Sequence, residues 1–311
     1  MKTITMFESN LMTINYTFID PKTLLINGGS LNLDVEVTGK DRSEMGSFDT
    51  VKDGIKELMN EFDYKLWILP DHGDKKDALS WYGNCPSSKR IAFYNHYGFS
   101  VVATPKFTLS CNKNIIKICP FDNLFLLERY IEDYLLESLR ANRIIVNLVK
   151  VRLHYTPVLP FSHNAGTQKS FRYVNVMENI VQGYQSWIVF LDGYNNPVYP
   201  DDKFQNKIND EMNGYTFICR DNIISETEFG ISFESTTNKK YFNMQFSKID
   251  CKYHIIDTET SVENLADWFY KHFKNEIANM IEKGATKMYF SEGLTKGACV
   301  KFKEFDNAAC I

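Results

Sequence analysis

Apolar and polar positions alternate along Leu31-Asn-Leu-Asp-Val-Glu-Val37, the period of a strand with one buried face, and Gly39 closes the run. Thr3 to Phe7 and Leu11 to Phe18 carry the same signal, and Asp20-Pro21 marks a turn. The period then changes to a helical one. Val51, Ile55, Leu58, Met59 and Phe62 form one stripe, entered through Ser47 or Asp49 as cap. The segment 71–88 is polar and reads as a loop. Short apolar runs at Ile91 to Tyr94, Phe99 to Ala103 and Ile115 to Cys119 read as strands. A second helix, capped by Asp122, carries Leu124, Leu127, Ile131, Leu135 and Leu139, and Ile144 to Tyr155 reads as a strand.

The same order recurs downstream. Phe171 to Met177 and Gln185 to Leu191 read as a strand pair. Pro200-Asp-Asp202 opens a helix through Phe204, Ile208 and Met212. Phe229 to Phe233 and Lys240 to Phe246 read as a hairpin across Thr237-Asn238. A final helix starts at Thr260 or Ser261, with Glu263 in its first turn. It runs through Val262, Leu265, Ala266, Phe269, Phe273 and Ile277 to Gly284. Thr286 to Phe290 follows as a strand, with Glu292 at its end. The helix–strand pair thus recurs after about 140 residues, a domain-sized repeat. The expected organisation is a first unit at 1–160, a linker at 161–170 and a second unit at 171–311.

Composition narrows the class. The chain has 311 residues, 44% hydrophobic and 24% charged, enough for a substantial core. Net charge is −4, which gives no general electrostatic case for nucleic acid. The seven cysteines are scattered and form no Cys-x-x-Cys pair, so a thiolate zinc site or disulfide framework is not expected and a cytoplasmic setting is. No cleavable signal is read at the N-terminus, and no apolar run approaches membrane-spanning length.

Two segments carry a family likeness. Thr260-Ser-Val-Glu-Asn-Leu-Ala266, followed on the next strand by Glu292, resembles the Pro-Thr-x-Glu-Asn-Leu-Ala helix start and pterin-anchoring glutamate of the 6-pyruvoyl- and 6-carboxy-tetrahydropterin synthases. Ser47-Phe48 and Phe62-Asp63-Tyr64-Lys65-Leu66 are similar to that family's Asp-Phe entry and Leu-Asp-His segment, with Tyr64 where the family has histidine. The resemblance implies an α+β tandem tunnelling fold: two ββαα-type units, antiparallel sheets with helices on one face, assembling as a homo-oligomer into a barrel. It also implies a pterin, purine or deazapurine ligand and, if the chain is active, a synthase-like lyase.

The family's zinc is held by three histidines. The matching positions here are Asn10, Asn27 and Gly29 in the first half and Asn175, Gln182 and Tyr184 in the second, so no metal and no cofactor is expected. His154 and His163 bracket a turn as the remaining metal candidate. His272 reads as a half-exposed helix residue.

The ring-binding chemistry rests on Glu292. One carboxylate accepts an N–H and an adjacent NH2 from a pterin or guanine edge in a charge-assisted pair. Thr295 and the Gly293 amide are candidate contacts to the same ring. Tyr155 stands at the matching position of the first half. Asp63, lacking its histidine, is the weak catalytic candidate and reads first as a structural hydrogen-bonding group. Two other readings stand beside this one: an oligomeric scaffold that keeps only the fold, and a cofactor-free enzyme similar to urate oxidase, suggested by Asp49-Thr50-Val51-Lys52. Glu234-Ser235 resembles a nitrile reductase motif but falls on a hairpin.

Overall fold

The first 40 residues already make the scaffold of one sheet. β1 (Ile4–Ile19) and β2 (Ile26–Gly39) pair antiparallel over almost their whole length. The computed structural model describes residues 3–20, 23–40, 42–69, 92–96, 99–104, 106–155, 170–177, 180–235 and 242–302. The two strands expected at Thr3–Phe7 and Leu11–Phe18 are one. The polar run between them is a bulge, with a register shift between Glu8 and Met12 and Asn10 at φ 51°.

The chain continues through α1 (Arg42–Met45), α2 (Phe48–Met59) and β3 (Lys65–Ile68), which joins β1 in parallel. β4 (Ala92–His96), β5 (Phe99–Ala103) and β6 (Phe107–Asn112) form an antiparallel meander. β7 (Ile116–Ile118) lies parallel to β3. α3 (Leu124–Ala141) leads to β8 (Leu148–His154), antiparallel to β2. The first sheet therefore has the order β7-β3-β1-β2-β8.

The second half contains β9 (Phe171–Met177), β10 (Ile180–Ser186), β11 (Ile188–Leu191), β12 (Pro197–Val198), α4 (Asp202–Met212) and β13 (Tyr215–Cys219). It continues through β14 (Ile223–Glu226), β15 (Gly230–Ser235), β16 (Phe242–Ser247), β17 (Tyr253–Ile256), α5 (Val262–His272), α6 (Lys274–Glu282), β18 (Lys287–Glu292) and β19 (Lys296–Lys301). β10 and β11 are consecutive runs separated at Trp187. β9 pairs the first, in the sheet β17-β13-β9-β10, and β18 the second, in the sheet β12-β11-β18-β19; followed through Trp187 the order runs β17-β13-β9-β10/β11-β18. That order matches the first sheet strand for strand, including the parallel β1–β3–β7 and β9–β13–β17 sets. Of the expected linker, 161–169 lies outside the described residues.

Helix ends follow side-chain chemistry. Ser47, Asp201 and Ser261 accept from the backbone N–H of Thr50, Phe204 and Asn264. The cap of α3 is Asn123 rather than Asp122: its side chain accepts from Leu126 N–H, and helix begins only at Leu124. The last expected helix is two, because Phe273 (φ −102°, ψ 30°) leaves helical geometry between α5 and α6. Its buried ring joins both to one core, so one apolar stripe spans the break.

Helices cover one face of each sheet. Val51, Ile55 and Met59 of α2 and Leu127, Ile131, Leu135 and Leu139 of α3 pack on β1, β2 and β8. Phe204 and Ile208 of α4, Leu265 and Phe269 of α5 and Ile277 of α6 pack on Tyr173, Tyr184 and Phe290. The class is thus α+β, with antiparallel hairpins and helices on one face, as expected.

The helix-free faces pack on each other. A Cβ on Gly28 would lie 2.1 Å from the Tyr173 carbonyl oxygen, and one on Gly183 would lie 2.6 Å from Gly28 Cα. Only glycine allows the two hairpins to cross at this separation, and the crossing leaves no lumen there. Edge-to-edge joining of the halves was also expected, and it occurs elsewhere. β16 pairs with β6 and makes one six-stranded sheet, β14-β15-β16-β6-β5-β4, from the inserted strands of both halves. A third core, with Leu66, Leu109, Val174, Ile218 and Phe246, fills the space this sheet encloses with the two main ones.

Candidate functional site

β18 ends at Glu292, and the chain reverses through Gly293-Leu-Thr295 into β19. Gly293 has φ 73°, and a Cβ on it would lie 2.5 Å from Asn15 Oδ1. The glycine therefore serves twice: it makes the left-handed turn and lets the turn touch the first half of the chain. Thr295 is exposed and its hydroxyl meets that of Thr13 at 2.8 Å. The site lies on the seam between the repeated units.

Glu292 is 8% exposed, so it is not a surface acid at a strand end. Its Oε2 lies 2.7 Å from Lys296 Nζ, which also donates to the Tyr64 hydroxyl at 3.1 Å. The Tyr184 hydroxyl donates to Gln182 Oε1 and lies close enough to Glu292 to feel its charge. Burial, followed by the Glu292 charge, holds the hydroxyls of Tyr173 and Tyr184 well above the usual phenol range. Both therefore stay protonated.

The first half supplies the opposite wall. Tyr64 adopts φ 53° directly after the α2 turn, which swings its ring to the seam. Its N–H donates to the Asn15 carbonyl at 2.6 Å, and Asn15 N–H donates to Asp63 Oδ1 at 2.8 Å. Ser30 donates to Asn15 Oδ1 at 2.7 Å and accepts from Gln185 N–H at 3.1 Å, which carries the network into the second half. Burial raises the Asp63 carboxyl to about 6, against the pull of the Asn15 and Tyr64 amides.

The other half repeats this last arrangement. Tyr16 lies opposite Gly29 and beside Lys65, and Tyr173 lies opposite Tyr184 and beside Tyr215. Asp63 thus corresponds to Asn213, and Tyr64 to Gly214. Arg172 N–H donates to Asn213 Oδ1 at 2.9 Å, and Gly214 N–H donates to the Arg172 carbonyl at 2.6 Å. Asp63 therefore makes a structural hydrogen bond that a neutral carboxamide makes in the second half. By the same registers Glu292 corresponds to Tyr155, which hydrogen-bonds the buried Tyr16.

Glu292, Gly293, Thr295 and Asp63 are therefore brought to one seam. Lys296 and the contact made by Tyr64 were not foreseen. Lys296 lies four residues beyond Glu292 across a glycine turn, which was the available signal. Asp49, Thr50 and Lys52 belong to the start of α2, where Lys52 pairs with Glu8 at 2.7 Å, away from the seam. Glu234 and Ser235 lie on β15 of the third sheet. Glu263 stands exposed in the first turn of α5, and His272 is exposed and lies 2.6 Å from Glu211.

The matched zinc positions do not suit zinc. In the first half Asn10 N–H bonds Asp34, seven residues along β2 from Asn27, a separation of roughly 20 Å, so Asn10 does not meet Asn27 or Gly29. In the second half Asn175 and Gln182 are cross-strand partners with Tyr184 beside them. Two carboxamides and a protonated phenol are poor ligands for zinc. Asn175 donates its NH2 to the Thr260 carbonyl at 2.9 Å, and its Oδ1 is buried with no hydrogen-bond partner. His154 lies 3.3 Å from Asp34, and His163 is outside the described residues. Among the described residues no group of three or more His, Cys, Asp or Glu is placed to hold a metal.

No family model matches the chain, and no curated protein matches it. Solved structures of 6-pyruvoyl tetrahydropterin synthase are similar to it in part. The Plasmodium vivax enzyme is 13% identical, with 51% of this chain and 94% of that chain covered at a TM-score of 0.35. The Plasmodium falciparum enzyme is 15% identical, with 49% and 90% covered at 0.32. No helix among the described residues is long and apolar enough to cross a membrane.

Proposed function

We propose that this chain binds a planar pterin-, purine- or deazapurine-like ring at the seam, with Glu292 as anchor, and that it is a divergent relative of the tetrahydropterin synthases. One observation carries the reading: a buried carboxylate at a strand end whose ion pair is with a lysine that is half exposed. The ammonium occupies the carboxylate as a ring N–H and NH2 edge would, and an exposed lysine is readily displaced. The Gly293 amide and the Thr295 hydroxyl stand on the same turn as polar contacts, and Tyr64 supplies a ring face and a hydroxyl. Asp63, whose carboxyl burial raises to about 6, is the candidate proton acceptor. No step is routed through zinc. Any lyase-type activity would rest on these side chains alone.

A second reading is a scaffold. It is favoured by the Lys296–Tyr64, Thr13–Thr295 and Ser30–Gln185 contacts, which already bind the two halves. Thermal melting with pterin, guanine and 7-deazaguanine separates the two. Ring binding predicts that at a hundredfold excess over Kd a ligand adds about 2.7 kcal/mol, several degrees in midpoint. Adenine, whose edge does not offer the paired N–H and NH2, should leave the midpoint unmoved. A flat response to every ring supports the scaffold.

A further inference from the structure

The two halves differ at one sheet edge. In the second half the outer edge of β18 is covered by β19, which pairs Lys287–Glu292 antiparallel with Lys296–Lys301. The corresponding edge in the first half belongs to β8, which pairs on its other side with β2. No strand covers it among the described residues, yet it is not open. Val151 N–H donates to Glu132 Oε1 at 3.0 Å, and Leu153 N–H donates to Glu128 Oε1 at 2.8 Å.

The spacing explains the fit. Two successive outward N–H groups on a strand are about 6.6 Å apart. Two glutamates four residues apart on a helix rise by about 6 Å. α3 lies over β8, so one carboxylate reaches each amide. Glu132 is further fixed by Arg129 at 3.0 Å and is 13% exposed. The exposed face of β8 does not itself repel a neighbour. Lys150 is matched by Glu36 at 3.6 Å, and Arg152 stands opposite Asp34.

We propose that Glu128 and Glu132 are an edge lock, which keeps β8 of this chain from pairing with β8 of a second copy. An uncovered seven-residue strand with free N–H groups is a template for another chain. The β18–β19 pair shows which partner this position takes in the repeat, an antiparallel strand. A second copy presents such a strand in two-fold symmetry.

The test is the mass in solution of wild type, E128A/E132A and E128A/E132A/V151P, across a concentration series by sedimentation velocity. The double variant should associate at concentrations where wild type does not gain mass. Proline at Val151 removes one of the two outward donors without disturbing the bonds to β2 and is tolerated only at an unpaired edge, so the triple variant should return to the wild-type mass. A double variant that keeps the wild-type mass throughout, or a triple variant that still associates, overturns the proposal. A second measurement needs no variant. In wild type the Val151 and Leu153 amides should exchange hydrogen at least about a hundredfold more slowly than open loop amides. Loop-like exchange at both would show that the lock does not form.

Discussion

Asp63→Asn is expected to stabilise the protein at pH 7 by about 1–2 kcal/mol. Burial raises this carboxyl from 3.8 to about 6, so ionising it in the folded protein costs up to about 3 kcal/mol at neutral pH. The sign follows from proton uptake. Between about pH 4 and 6 the folded state holds a proton that the unfolded state has lost, so stability falls as pH rises through this window. Below it both states are protonated and the cost vanishes. Asparagine keeps the acceptor for Asn15 N–H, as Asn213 does for Arg172. Part of the gain is returned because the new NH2 has no such acceptor role toward Tyr64 N–H. Urea unfolding of both proteins from pH 4 to 8 checks this: the curves should converge near pH 4 and separate toward pH 7, with the variant above. A variant less stable than wild type at pH 7 would mean that the charge, through Lys296 or Lys65, holds this wall together.

Gly183→Ala should have the larger and opposite effect. A Cβ there would lie 2.4 Å from the Tyr16 carbonyl oxygen and 2.6 Å from Gly28 Cα. Both obstacles are backbone, so no rotamer change relieves them and the two main sheets must separate. The loss should be about 3 kcal/mol or more, at the upper end for overpacking, and should appear as a large drop in urea midpoint. Gly28→Ala should behave alike. The double variant should cost much less than the sum, because the first alanine already opens the crossing. Gly54→Ala is the control. It lies inside α2, its Cβ would meet the flexible Ile144 Cδ1 at 3.4 Å, and helix propensity predicts a gain of up to about 1 kcal/mol.

These residues also show what the sequence discloses and what it hides. Val51-Ile55-Met59 and Leu127-Ile131-Leu135-Leu139 declare their helices because burial on one face writes a helical period. Glu292 stood out because it follows a strand and a capped helix with a family pattern. The recurrence of elements was legible for the same reason. Strands β3 and β13 were not, since four or five residues buried on both faces carry no period, and β17 is four residues long with only Ile256 buried. The Glu8-Ser9-Asn10 bulge looked like a strand break, because a bulge and a turn share their polar residues. The face-to-face crossing depends on Gly28 and Gly183 meeting across 155 positions of chain, and no local pattern reports it. Lys296 and Tyr64 were hidden likewise: one is ordinary on a surface hairpin, and the other reaches the seam only through its left-handed backbone.

The central claim is that Glu292 anchors a ring, and calorimetric titration of wild type and Glu292→Gln with the ring that raises the melting point tests it most directly. Gln keeps the size but turns an NH2 toward the ring's own N–H, so affinity should fall by roughly ten- to a hundredfold, about 1.5–3 kcal/mol. Stability without ligand should change by less than about 1 kcal/mol, because the pair lost is with a half-exposed lysine. Tyr155→Phe, at the corresponding position of the first half, should bind as wild type does. A Glu292→Gln protein that binds the ring with wild-type affinity would contradict the anchoring role and leave the seam as a joint between two halves.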